Sequence, residues 1–254
     1  MQKPVGNYFI RLRSDARHAK SEVVLVNNSS TMTRPPKQQW TESGPVKTII
    51  ESTEVERTEA ASQARIGDTG AMGLFGFCVG TVVIAWVLSG WAAMPASLIA
   101  AVPSLLVFAG IGQFIAGLYA FSRTNSWAGT AMCSYGANNV IVASFIWMQV
   151  GGLIPRTPSN MLLLAVDLFC MGYISLALMI GAMRLNVIYV LTAACLIAGY
   201  TLPAIQFLGA SRELGILGGY FLLAASFFAF YAATAMIVNS SWKKEMVPLF
   251  SLRR

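Results

Sequence analysis

Long apolar stretches, separated by short polar or proline-containing breaks, dominate the chain from residue 71 onward. A membrane-spanning helix needs about 20 apolar residues at a rise of about 1.5 Å each, so each stretch is long enough to cross a bilayer. Breaks such as Ser122–Ser126 and Pro155–Pro158 carry the residues that end helices. The pattern predicts an all-α membrane protein with six transmembrane helices: Ala71–Trp91, Ala96–Phe121, Ala128–Leu153, Met161–Met183, Leu185–Phe207 and Leu214–Asn239.

The first 67 residues have a different character. They hold ten Lys or Arg and seven Asp or Glu, and the stretch Asn27–Pro36 is rich in Asn, Ser, Thr and Pro. Such a segment buries too little apolar surface to offset the entropy of ordering. The early arginines faintly resemble a transit peptide, but the acidic residues of Glu51–Glu59 disfavour that interpretation. We predict a disordered cytosolic tail over 1–67, a transmembrane domain over 68–240 and a basic cytosolic tail over 241–254.

Composition excludes a soluble enzyme. Of the 254 residues, 56% are hydrophobic and only 11% are charged, and the mean hydropathy is +0.60. An average soluble domain has about 25% charged residues. Between residues 68 and 240 the chain has four arginines and three acidic residues, too few to cover a water-facing surface.

The net charge of +7 does not indicate nucleic-acid binding. The basic residues lie at the ends of apolar spans, as the positive-inside rule requires, and no basic patch is interleaved with aromatic residues. The four cysteines have no CxxC spacing and the single histidine, His18, lies in the tail. The sequence therefore predicts no metal site and no cofactor.

The loops between the predicted spans indicate an orientation. With a cytosolic N-terminus, Arg123, Arg184 and the C-terminal lysines lie on the cytosolic side, whereas Arg156 and Arg212 lie outside. This distribution predicts a multi-pass membrane protein with both termini in the cytosol.

Polar residues inside the spans are the strongest candidates for a functional site, because polar groups are costly in lipid and usually face a cavity. Gln113 lies midway through the second span, and Ser134, Tyr135, Asn138 and Asn139 cluster in the third. Ser134 and Asn138 are four residues apart and share one helix face. The cluster indicates a water-filled or ligand-lined path, with hydrogen bonding between helices as the alternative.

Asp167 is the only acidic residue within a predicted span. It is a candidate for proton coupling. Two alternatives remain open from the sequence: its carboxylate reaches the outer interface, or it pairs with Arg156.

Small residues recur at helical spacing, as in Gly76-xxx-Gly80 and Gly215-xxx-Gly219. They let helix backbones approach closely in lipid, within one subunit or between subunits. No phosphate-binding glycine loop, HExxH or GxSxG pattern is present, so neither an ATP-driven pump nor a membrane hydrolase is indicated.

The second and third spans resemble the acetate uptake transporter family of bacteria and fungi. Gly110–Leu118 is similar to that family's GG-x-x-Q-x-x-AG run, Arg123–Trp127 to its GNTF-like turn, and Ser134-Tyr135-Gly136 to its TAF-x-SYG segment. Met72–Phe77 resembles the end of its NPAPLGL-x-GF signature. The resemblance covers about residues 68–242.

The chain departs from the family pattern at four places, one of which is a shortened turn around Arg184. Asp68–Ala71 stands where the signature has Asn-Pro-Ala-Pro, and Ala120 replaces a common Glu. Asn138 and Asn139 replace an aromatic pair after SYG. We expect these differences to affect substrate choice more than the fold.

The resemblance implies a six-helix protomer with a pore through each subunit, assembled as a homohexamer in the plasma membrane. It implies a hydrophobic constriction formed by Phe77, Tyr135 and Leu191. The implied function is transport of acetate and similar small monocarboxylates, with succinate as a further substrate, linked to protons. Gln113, Ser134 and Asn138 would supply hydrogen bonds to the substrate. The resemblance implies no cofactor.

Two alternative functions stay open. A tail rich in Ser and Thr, together with the altered signature, is compatible with a non-conducting membrane sensor or signalling subunit. Ammonium export is the second, since it is sometimes assigned to the fungal branch of the same family.

Overall fold

The structure is a computed structural model that describes residues 9–13, 22–26, 67–92 and 96–252. The chain divides into two compact units, Met1–Val55 and Glu56–Arg254. In the first unit, β1 (Phe9–Arg13) pairs antiparallel with β2 (Glu22–Val26). This hairpin lies within the predicted tail, and the rest of that tail up to residue 66 is outside the described residues. A lone two-stranded hairpin is only marginally stable in water.

The second unit is built from long helices in the order that the hydropathy pattern predicts. Its second span is one continuous helical stretch with a π-helical centre. The elements are α1 (Gly70–Leu88), α2 (Ala96–Pro103), the π-helical segment (Ser104–Gly112), α3 (Gln113–Ser122), α4 (Ser126–Val150), α5 (Pro158–Ala182), α6 (Val187–Phe207) and α7 (Arg212–Trp242).

Five of the described helical stretches are both long and apolar enough to cross a membrane. The remaining one, α4, has 25 residues and is long enough, but Ser, Tyr and Asn side chains make it more polar. The predicted fold class, an all-α multi-pass membrane protein with six long helices, is confirmed.

Side-chain caps determine where three of the helices begin. The Asn125 side chain accepts a hydrogen bond from the backbone N–H of residue 128, Thr157 from residue 160, and Asn186 from residue 189, at 3.1, 3.3 and 2.9 Å. Such caps satisfy N–H groups that have no partner in the first turn. The polar loop residues therefore also fix the first residue of the helix that follows. These three helices start two or three residues away from the predicted positions.

The second span contains a nine-residue π-helix directly after Pro103, where the sequence pattern predicts a regular helix. A proline inside a helix has no N–H to donate, which weakens the regular ladder. The side-chain nitrogen of Asn139 donates to the carbonyl of Ala109 at 3.2 Å and to Oε1 of Gln113 at 3.3 Å. These bonds tie the widened turns to α4.

The helices form a closed ring in chain order, with α7 packed against α1. Among neighbouring spans, α4 and α5 make the fewest contacts. Two hydrogen bonds cross this junction: the Tyr135 hydroxyl lies 3.0 Å from the Ser175 hydroxyl, and the Trp127 indole donates to the carbonyl of Leu178 at 3.0 Å.

The glycines of the predicted small-residue stripes pack against helices of the same chain. A Cβ atom on Gly76 would lie 2.9 Å from the carbonyl oxygen of Phe108, and one on Gly219 would lie 2.7 Å from the backbone nitrogen of Ser89. These approaches are too close for a side chain. Of the two interpretations of these stripes, packing within one subunit is the one that the structure supports at these positions.

The chain after α7 folds back along the bundle as a C-terminal strap (residues 243–252). The Asn239 side chain holds its start by accepting from the backbone N–H groups of Met246 and Val247 at 2.7 and 2.9 Å, and by donating to the Val247 carbonyl at 2.8 Å. The end of the strap donates a backbone N–H to the carbonyl of Leu185 at 3.0 Å. The predicted basic tail is therefore an ordered part of the bundle in this segment.

Candidate functional site

A large vestibule opens at the end of the bundle where α1 begins and α7 ends. Its volume is about 760 Å³. Polar and charged residues of the loops and of the C-terminal strap line its mouth, whereas apolar and aromatic residues line its depth. The polar residues at the mouth include Asp68, Arg123, Asn125, Asn186 and Glu245.

A second cavity of about 140 Å³, here called the far cavity, lies at the opposite end of the bundle. It is enclosed by the ends of α1, α4 and α6 and by the starts of the second span and α5. Its walls are mostly aliphatic, and its polar lining includes Thr81, Asn138, Asn139, Gln149 and Arg156.

A layer of buried side chains, here called the barrier, separates the two cavities. Phe77, Tyr135 and Leu196 face the vestibule, and Tyr200 faces the far cavity. The ring centroids of Phe77 and Tyr135 lie 5.5 Å apart, and the rings of Tyr135 and Tyr200 stack at 6.3 Å with an interplanar angle of 14°. All four side chains belong to one buried cluster and none is more than 8% exposed.

The barrier is about one helical turn thick. On each of three helices, a residue that lines the vestibule is followed four positions later by a residue that lines the far cavity. The pairs are Phe77 and Thr81 on α1, Tyr135 and Asn139 on α4, and Leu196 and Tyr200 on α6. Four residues advance a helix by about 6 Å, which is the approximate distance between the two cavities along each of these helices.

Two of the three predicted constriction residues, Phe77 and Tyr135, lie together in the barrier. The third, Leu191, does not: its side chain is 38% exposed and lines neither cavity. Leu196 occupies the expected place on the same helix and is 1% exposed. Five residues separate the two leucines, which places them about 140° apart around the helix.

The three predicted substrate-binding residues do not form one site. Gln113, which is 2% exposed, lines the vestibule, and Asn138 lines the far cavity. Ser134 is half-buried and lines neither. Gln113 also accepts a hydrogen bond from Asn139, so this part of the polar cluster connects helices, as the alternative interpretation has it.

Asp167 lies on α5 next to Leu168, which lines the far cavity, but Asp167 itself lines neither cavity. Its Oδ2 is buried and has no hydrogen-bond partner. Among the described residues the one ion pair joins Arg123 and Asp68, so the predicted alternative of a pair with Arg156 is wrong.

Asp68 has a structural role at the vestibule mouth. Its Oδ1 accepts from the backbone N–H of Gly70 at 2.9 Å and lies 3.9 Å from the Arg123 guanidinium. The two side chains are 59% and 35% exposed, so the ion pair contributes only about 0–1 kcal/mol. The pair brings an arginine to the vestibule entrance without burying its charge.

Leu196, Tyr200 and Thr81, which complete the barrier and its far side, were not predicted from the sequence. The signal for Tyr200 and Thr81 is a polar group in an apolar span, four residues beyond a barrier residue. In the part of the chain that the structure describes, no group of three or more His, Cys, Asp or Glu residues could hold a metal ion.

The hydrogen bonds of Asn239 give the first testable prediction. Asn239→Ala removes all three of its bonds to the strap, each worth about 0.5–1.5 kcal/mol. We expect the strap to leave the vestibule mouth more often, so that trypsin cleaves after Lys243 or Lys244 several times faster than in the wild type. The control is Ser240→Ala at the neighbouring exposed position. The rate of trypsin cleavage in this variant should equal that of the wild type. Equal cleavage rates in all three proteins would show that the hydrogen bonds of Asn239 do not hold the strap in place.

Comparison with known proteins gives two positive results. A solved structure described as "Structure of the bacterial acetate channel SatP" matches with a TM-score of 0.67 and 22% sequence identity, over 72% of this chain and 99% of that one. At this identity the match establishes a shared fold. No curated protein matches. The model of the GPR1/FUN34/yaaH family matches residues 52–253. Because the match extends over most of the chain and agrees with the resemblance read from its motifs, this protein belongs to the GPR1/FUN34/yaaH family.

Proposed function

We propose that the chain is a membrane channel or carrier for acetate and similar small monocarboxylates. The observation that carries the proposal is the arrangement of two cavities on either side of a buried barrier about one helical turn thick. The similar solved structure is described as an acetate channel, which supports the same substrate class. Succinate is a larger candidate substrate, with two carboxylates to desolvate in the barrier.

The barrier suits a small, weakly charged solute. Its members carry no formal charge and are almost fully buried, so a bulk ion would lose its hydration there without compensation. Hydrophobic constrictions exclude such ions by making a thin water column unfavourable. A two-carbon acid needs only a small opening between Phe77, Tyr135 and Leu196, and it has a methyl group that these side chains can contact.

Loop charges support an orientation with both termini in the cytosol. Arg123, Arg184 and Lys243 lie at the vestibule end of the bundle, and Arg156 and Arg212 at the far end. Lys244 adds to the basic residues at the vestibule end, and the positive-inside rule therefore supports a vestibule that faces the cytosol. The plasma membrane is the location that we infer for a protein exchanging small acids with the surroundings.

Influx of labelled acetate into proteoliposomes tests the function. We expect uptake well above that of protein-free vesicles, and a strong reduction in Leu196→Trp, which adds bulk to the barrier without adding charge. Monodisperse wild-type protein without acetate flux would favour the non-conducting sensor. Ammonium flux in the absence of acetate flux, measured in the same vesicles, would favour the exporter.

The transport of acetate is proposed to be linked to protons, and Asp167 is the candidate coupling group. Its Oδ2 is buried without a hydrogen-bond partner, and the residue lies within a span. Asp167→Asn should flatten the dependence of acetate uptake on pH, since the variant side chain cannot exchange a proton. Uptake measured from acidic to neutral external pH provides the profile. The control is Glu213→Gln, which neutralises an exposed carboxylate in the first turn of α7. If the Asp167→Asn profile matches the wild type, coupling is more simply entry of the protonated acid.

Assembly as a homohexamer is a further part of the proposal. The second span is the least buried of the five apolar spans among the described helices. Its exposed apolar side chains, among them Val107, Ile111 and Leu118, can contact lipid or another subunit. Native mass spectrometry of the detergent-solubilised protein tests the subunit number.

A further inference from the structure

Asn138 is buried in the wall of the far cavity without a hydrogen-bond partner. Its side chain is 4% exposed, and its Oδ1 lies buried and unpaired. No hydrogen bond joins its amide nitrogen to another described residue. An unpaired buried amide is energetically unfavourable, so an unpaired amide in the wall of a cavity indicates a place for a ligand.

The surroundings of Asn138 define what such a ligand looks like. The far cavity has a volume of about 140 Å³, well below the range of about 300–1,000 Å³ for drug-sized ligands, so only a molecule of a few heavy atoms fits. Beyond Asn138 the walls are aliphatic, with Val142 and Ile146 on successive turns of α4 and Leu164 and Leu168 opposite on α5. The site therefore combines the unpaired amide of Asn138 with a short apolar slot.

Two further polar residues of the far cavity lie at the opposite end of this slot, whereas Thr81 and Asn139 line the cavity on the barrier side. Gln149 lies eleven residues after Asn138, about 20° away around α4 and about 16 Å along it. Its Nε2 is also buried and unpaired. Arg156 lies beyond it, exposed at the rim. An anion would be attracted to the rim, but no cationic residue lines the cavity beside Asn138 to stabilise a bare carboxylate there.

We infer that the far cavity binds short-chain acids in their neutral, protonated form, and with them the isosteric primary amides, through the side-chain amide of Asn138. A carboxylic acid and a primary amide each carry a hydrogen-bond donor beside an acceptor. Either ligand can therefore form two hydrogen bonds side by side with the Asn138 amide, one donated by the ligand and one donated by Asn138. The pairing is possible in either orientation of the Asn138 amide. The alkyl group of the ligand then lies in the aliphatic slot.

For its acid ligands this inference rests on the proposed function, but the binding of primary amides can be tested without measuring transport. Acetamide has the size and shape of acetic acid and no charge at any accessible pH. Binding of acetamide to the detergent-purified full chain can be measured by saturation-transfer difference NMR on its methyl group. We expect N,N-dimethylacetamide, which keeps the acceptor and lacks the N–H donors, to bind at least tenfold more weakly.

Asn138→Leu keeps the approximate volume and removes both hydrogen-bonding atoms. We expect it to weaken acetamide binding at least tenfold, which corresponds to about 1.4 kcal/mol. Val142→Leu is the matched control on the next turn, since it leaves the amide in place and alters only the slot; it should weaken propionamide more than acetamide. Thermal unfolding of each variant identifies any that do not fold, and Asn138→Thr then replaces a misfolded leucine variant.

Acetamide binding that is equal in the wild type and in a folded Asn138 variant would overturn the inference, as would equal binding of acetamide and N,N-dimethylacetamide. An absence of acetamide binding to the wild type would overturn it too. The proposed transport function fails separately, through an absence of acetate flux in proteoliposomes. When flux is present, acetamide should compete with acetate more strongly than N,N-dimethylacetamide does.

Discussion

Phe77→Leu and Leu196→Ala should let larger carboxylates cross the membrane. Both substitutions shorten side chains of the barrier, which is about one helical turn thick, so even a small loss of volume opens a wider passage. We expect the ratio of lactate to acetate influx in proteoliposomes to rise by about tenfold or more, the equivalent of about 1.4 kcal/mol in the relative barrier. Phe77→Ala should give a larger effect, at a cost in stability of about 3–5 kcal/mol.

Leu191→Ala is the matched control for this prediction. It makes the same change on the same helix, but at a position that is 38% exposed and outside both cavities. The influx ratio of this variant should equal that of the wild type. Monodisperse Phe77→Leu and Leu196→Ala proteins with an unaltered ratio would show that these side chains only fill the helix interface.

Tyr135→Phe separates the ring of Tyr135 from its hydroxyl. The ring contacts with Phe77 and Tyr200 remain, so selection by size should be unchanged. The hydroxyl's bond to Ser175 is lost, at a cost of about 0.5–1.5 kcal/mol. A lower thermal midpoint with an unchanged influx ratio is the expected result.

Gly136→Ala should destabilise the bundle strongly. The new Cβ would lie 2.7 Å from the backbone nitrogen of Phe114 and 3.0 Å from the carbonyl oxygen of Gly110. Both contacts are backbone atoms of the second span, which cannot rotate away as a side chain can. Overpacking of this kind costs about 1–3 kcal/mol. Fluorescence-detected size-exclusion chromatography after heating should show a lower midpoint and less monodisperse protein.

Gly112→Ala provides the comparison, because its Cβ would meet nothing closer than 3.4 Å. Alanine is also the better helix former, so this variant should be as stable as the wild type or slightly more stable. A Gly136→Ala protein as stable as Gly112→Ala would mean that α4 and the second span do not approach as closely as described.

The number of helices and the residues between them follow from local properties of the sequence. A span is defined by about 20 apolar residues because the bilayer has a fixed thickness. Polar residues such as Asn125, Thr157 and Asn186 end the spans because they cap the helices that follow. The motifs around Gln113 and Tyr135 were likewise sufficient to identify the family, and the match to the family model confirms that identification.

The π-helical segment shows where local reasoning was incomplete. Pro103 indicates a disturbance of the second span, but its extent depends on a partner from another helix, the Asn139 side chain that holds the Ala109 carbonyl. Such a contact between spans cannot be read from either span by itself.

The sequence by itself determined the six helices, their order and the family. The tertiary structure alone decided that Leu196 rather than Leu191 completes the barrier, and that Gln113 and Asn138 face different cavities. The physical reason is the solvent. In water an apolar stripe marks the buried face of a helix, whereas in lipid both faces are apolar, so hydropathy does not specify the rotation of a helix about its axis. That rotation is set by close packing, such as the approach of Gly136 to Phe114, which exists only once the helices have assembled.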